Sequence, residues 1–124
     1  MEYLKNCKFM IDIETIDQIV GGNQEFDVIA TTQDKKTIKI SFILVWDLRY
    51  IIVNADSDRF TKFNKGHIKN SNILLVENSA YIDYFAKQVS GTRFVDKLKD
   101  YLLYDSAGTQ VEVLTISDPV ITEL

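Results

Sequence analysis

The 124-residue sequence holds one cysteine, one proline, one histidine and only five glycines. Each scarcity excludes something. A lone Cys7 cannot close an internal disulfide, which agrees with a reducing compartment. It lies beside Lys5 and Lys8 with no adjacent base, so it reads as an inert thiol rather than a nucleophile. With His67 as the sole imidazole, a Ser-His-Asp set, a Cys-His pair and a multi-histidine metal centre would all need the same side chain. His67 falls in a Gly-containing polar stretch between Lys65 and Lys69 and reads as an exposed loop residue. Gly21-Gly22 lacks the spacing and the lysine of a phosphate cradle and reads as a turn. No hydrophobic run approaches the ~18 residues that span a bilayer. The first eight positions carry acid and polar residues where a signal peptide needs an apolar core, so a cytoplasmic protein without membrane association is expected.

What remains is an ordinary globular composition, 46% hydrophobic and 26% charged, in a chain of one-domain length, read here as a single domain over 1–124. Abundant Ile, Asn and Lys fit an AT-rich bacterial genome. The net charge of −4 is unevenly spread. Residues 1–34 hold seven acids against two lysines, 35–69 eight bases against three acids, and 100–124 five acids and no base. If the two acidic ends meet in space they make one negative face.

Hydrophobic periodicity gives the elements. Residues 8–14 alternate Phe9, Ile11 and Ile13 against polar neighbours and predict a strand; 15–20 predict a short turn of helix ending at Gly21-Gly22. Residues 25–33 alternate again, and Gln33-Asp34-Lys35-Lys36 joins them as a hairpin to a central strand that becomes wholly apolar from Phe42 to Trp46. After Asp47, a good N-cap, Leu48, Ile51, Ile52 and Ala55 share one helical face, so a helix is expected there. An extended 48–53 is the competing reading, because Ile51, Ile52 and Val53 are β-branched. Residues 73–77 read as a strand. A second helix follows, capped by Asn78 or Ser79, facing the core with Ile82, Phe85, Ala86 and Val89 and stopping at Gly91. Residues 101–105 and 110–115 flank Ser106-Ala107-Gly108-Thr109 as a closing hairpin, and Asp118-Pro119 begins a tail. The sum is an α+β fold: a mainly antiparallel sheet of about five strands with two amphipathic helices packed on one face.

Candidate chemistry is sparse. Asn54, Asp56 and Asp58 start like a calcium loop, but Arg59 and Lys65 stand where that loop needs Gly and Glu, so no metal site is read there. The basic, Phe-bearing run 59–69 looks like a nucleic-acid surface, yet an acidic chain repels phosphate, and nucleic acid is not the expected partner. Asp12 and Glu14, two apart on a strand, could form a carboxylate pair. Asp105 beside the last turn and Glu112 between Val111 and Val113 should face solvent, with Tyr101 and Tyr104 nearby as interface tyrosines. No cofactor and no catalytic residue is indicated. The reading is a non-catalytic protein-interaction domain, most concretely an acidic inhibitor or immunity-type protein whose Asp105, Glu112, Tyr101, Tyr104, Asp12 and Glu14 meet a basic, toxin- or nuclease-like protein. The alternatives are a small enzyme or ligand-binding protein using Asp12 and Glu14 in a pocket between sheet and helices, and a homodimer pairing through a sheet edge.

Overall fold

In the computed structural model, which describes residues 2–51, 72–89 and 95–124, alternating apolar residues build two antiparallel sheets and a single short helix. The strands are β1 (Tyr3–Asn6), β2 (Ile13–Gly22), β3 (Glu25–Thr32), β4 (Thr37–Phe42), β5 (Val45–Ile51), β6 (Ile73–Glu77), β7 (Lys99–Tyr104), β8 (Gln110–Thr115) and β9 (Val120–Glu123). The helix α1 (Ala80–Gln88) and a 3-10 turn at Val95–Lys97 lie between β6 and β7. One sheet runs β1-β6-β7-β8-β5, the other β2-β3-β4-β9.

Period-two alternation sends one set of side chains from each sheet into a common core. Val28, Ala30, Ile38, Ile40 and Phe42 come from the four-stranded sheet and Ile73, Tyr101, Leu103, Val111 and Val113 from the five-stranded one. The opposite face of the five-stranded sheet is buried as well. Leu4, Leu74, Val76 and Leu102 cluster there, and α1 lays Tyr81 and Phe85 on Leu98 and Leu114. β8 is therefore covered on both faces, and all six of its residues are buried.

The two sheets are also joined by polar contacts. Asn72 accepts from Ile13 N–H (3.0 Å), donates to the Tyr104 carbonyl (2.9 Å) and gives its own N–H to the Ile11 carbonyl (2.7 Å).

The architecture is thus mainly β, with one short helix among the described residues rather than two. Leu48 to Ile51 is strand, not helix; Leu48 stands opposite Val113 and Ile51 opposite Gln110, on opposite faces of the strand, so their three-residue spacing marks no shared face. The rest of that expected helix, the 59–69 run, Asn54, Asp56, Asp58, His67 and Gly91 lie outside the described residues. The expected strand 8–14 begins only at Ile13, and 15–20 continues it instead of turning helical. Shifts near Glu14 and Asp17 break β2's alternation and disguised it. The central apolar run is not one buried strand, since β4 stops at Phe42 and the chain turns at Ile43 and Leu44. Nor is 120–123 a tail: β9 pairs with β4. The helix start is as read, with Ser79 Oγ accepting from Ile82 N–H (3.0 Å).

Candidate functional site

β6 ends at Glu77, and Asn78, held at φ 53°, turns the chain into α1. The first turn of a helix leaves N–H groups unpaired and carries partial positive charge, so it recruits oxygen acceptors. Ser79 supplies one acceptor. Glu2, brought alongside by the β1–β6 pairing, supplies another: its Oε2 accepts from Ala80 N–H at 2.7 Å. Ser79 Oγ in turn donates to Asp100 Oδ2 (2.5 Å), a carboxylate only 1% exposed at the start of β7.

Around this helix start lies an open cavity of about 620 Å³. Among the described residues its walls carry Glu2, Glu77, Asp83, Asp96 and Asp100 against a single lysine, Lys99. Glu77 pairs with Lys5 at 2.6 Å, and Lys99 turns to Asp118 at 2.6 Å. Asp83 on the first turn of α1 and Asp96 in the 3-10 turn are exposed, and their carboxylates make no hydrogen bond or ion pair among the described residues. Among the described residues no histidine or cysteine lines the cavity, and none form a metal-holding group of three His, Cys, Asp or Glu side chains.

A second polar cluster lies on the same face of the five-stranded sheet. Arg49 donates Nε–H (2.9 Å) and Nη2–H (2.5 Å) to Glu112 Oε1, its guanidinium stacks 4.2 Å from the Tyr81 ring centroid, and Tyr81 donates its hydroxyl to Asp47 Oδ2 (2.8 Å). Burial, then the bond to Asp47, pushes the Tyr81 phenol far above the ordinary tyrosine range.

The residues singled out from the sequence do not come together as one face. Glu112 is 1% exposed because β8 is central and its outward side is covered, and Asp105, at 6%, is also buried rather than solvent-facing. Asp105 Oδ2 accepts from Ile16 N–H of the other sheet (2.9 Å), while Oδ1 accepts from Ala107 and Thr109 N–H (2.9 Å each). Tyr101 is a core residue that packs on Phe42 (centroids 5.8 Å apart) and donates to Asp118 Oδ1 (2.7 Å). Half-buried Tyr104 packs on the Leu4, Leu74, Val76 and Leu102 cluster; burial, then the charge of Asp12, raises its phenol. Asp12 is exposed but precedes β2, and Glu14 is tied to Lys35 at 2.5 Å, so the two do not form an open carboxylate pair. The cavity residues were missed because they come from three separate stretches, Glu2, 76–83 and 95–100. The Ser79 cap with Asp83 after it was the one local signal.

No family model, curated protein or solved structure matches the chain.

Proposed function

We propose that this chain is a non-catalytic interaction domain that binds a basic protein, in the manner of small acidic inhibitor or immunity-type proteins facing toxin- or nuclease-like partners. The acidic cavity at the head of α1 is where a partner's Lys or Arg side chains enter. The observation that carries the reading is the imbalance of that cavity, five carboxylates to one lysine among the described residues, with Asp83 and Asp96 exposed on its rim. Opposed charge of this kind speeds encounter and fixes register more than it adds raw affinity. The partner residues named from the sequence give way to this set, since Asp105 and Glu112 are enclosed. A ligand-binding role for Asp12 and Glu14 draws no support from position, because neither lines this cavity.

The test is titration with oligoarginine and oligoglutamate peptides across a salt series, using the wild-type chain and the Asp83→Asn/Asp96→Asn double variant. Oligoarginine should bind, more weakly to the double variant, and the difference should vanish at high salt because screening acts within ~8 Å at physiological ionic strength. Binding unchanged by the double variant at every salt concentration would refute the assignment.

A further inference from the structure

At the end of the four-stranded sheet two connections meet. The β2–β3 hairpin turns through Asn23 (φ 52°) and Gln24 (φ 70°), and the β4–β5 connection passes through Ile43 and Leu44. Val45 N–H donates to the Gln24 carbonyl (3.0 Å) and Thr115 Oγ1 to the Ile43 carbonyl (2.7 Å), so the tip is fastened to both sheets. Yet it is apolar where water reaches it: Val20 and Ile43 are each 48% exposed and Leu44 43%. Leu44 also sits at φ 54°, a left-handed conformation that Gly or Asn adopts with less strain. Folding alone favours neither the exposure nor the conformation. Residues kept against both preferences collect at binding surfaces.

Beside these side chains lies a hollow of about 280 Å³ that carries Glu25 and Asp27 and, among the described residues, no Lys or Arg. Gly22 lines it without a side chain, and a Cβ built there meets nothing within 4 Å. Across the sheet Val20, Asp27, Ser41 and Val120 stand in one row on the outward face.

The structure assigns this tip as a docking surface for a basic, apolar-anchored segment of another protein. An aliphatic or aromatic side chain of that segment packs on Ile43, Leu44 and Val20, and a neighbouring Lys or Arg meets Glu25 and Asp27. Charge decides the occupant. A second copy of the chain would set these carboxylates against each other, and an anionic membrane would be repelled by them. The assignment does not rest on the cavity at α1.

The experiment is an amide-shift titration of the isotopically labelled chain with an amphipathic Lys/Leu peptide. Shifts should concentrate in residues 20–27 and 41–46 and persist in Asp83→Asn/Asp96→Asn, which separates the tip from the cavity. Leu44→Gly should weaken binding at least about tenfold, as loss of a buried leucine contact does, while leaving Tm equal or higher. Gly22→Val, which adds a side chain to the hollow's wall where a Cβ meets nothing within 4 Å, should also abolish the shifts while the fold is kept. Any of four results would overturn the assignment: no shifts at the tip, equal shifts with a Glu/Leu peptide or phosphatidylglycerol vesicles, tip shifts that depend on protein concentration without peptide, or a Leu44→Gly variant whose Tm drops by several degrees.

Discussion

Asp105→Ala should be among the most damaging single polar substitutions in the molecule. The carboxylate accepts three backbone N–H bonds, and the three donors differ in what they can do without it. Ala107 and Thr109 belong to a turn that solvent reaches, so losing their acceptor resembles losing a helix N-cap, roughly 0.5–2 kcal/mol. Ile16 N–H is a buried donor on the other sheet, and stranding it adds about 1–3 kcal/mol. The expected total is about 1.5–5 kcal/mol, against the ~5–15 kcal/mol of a typical domain. Asp105→Asn divides the sum. The amide oxygen can still serve the turn, but the NH2 then faces the Ile16 donor, so its cost should lie between wild type and alanine. Urea titration followed by far-UV circular dichroism measures all three proteins. A loss under ~0.5 kcal/mol for alanine, the value of an exposed charge, would show that the cross-sheet bond is not made in solution.

Phe85→Ala should cost about 3 kcal/mol in the same titration, since Phe85 fills the contact between α1, Leu98 and Leu114. Gly21→Ala should destabilise by on the order of 1–3 kcal/mol, because φ is 150° there and a Cβ would stand 2.1 Å from the Glu25 carbonyl oxygen, whereas Gly22→Ala should be tolerated. Bonds from Lys8, Lys99 and Tyr101 hold the Asp118 carboxyl well below the usual carboxylate range. Its stabilising effect is therefore complete above the unfolded value near ~4 and is lost as pH falls through the depressed folded value, so Asp118→Asn should shallow the acid limb of a Tm-against-pH curve. Burial and the bond to Asp118 raise the Tyr101 phenol, so the sign reverses. Stability holds below ~10, where unfolded tyrosines ionise, and falls as pH rises beyond it; Tyr101→Phe should flatten that alkaline limb.

Local pattern was enough for elements that obey one period. β3 and β4 alternate cleanly, the hairpin between them carries its turn residues at 33–36, and Ser79 marks the start of α1. It failed where the backbone departs from regularity or where burial is decided by distant chain. The shifts in β2 broke the alternation, and the run from Phe42 to Trp46, apolar enough for a core strand, conceals a solvent-exposed turn at Leu44. Alternation places Glu112 opposite Val111 and Val113, which is correct, but it cannot say that the outward face of β8 is also covered. The direction was legible and the environment was not. The acidic cavity was illegible for a related reason: Glu2 reaches α1 only because β1 pairs with β6 across most of the chain that separates them.

That pairing has a consequence for how the molecule comes apart. Among the described residues β1 is a four-residue strand at a sheet edge, bound on one side only, to β6. Edge strands of this length open by local fluctuation before the rest of a domain unfolds. When β1 lifts, Leu4 leaves its cluster and Glu2 withdraws from Ala80 N–H in the same event, so the helix start loses a cap and the cavity loses a wall together. Amide exchange at residues 3–6 and at Ala80 should therefore follow one opening rate, linking the lifetime of the cavity to the breathing of a strand that reaches its lining only through Glu2, the residue before it.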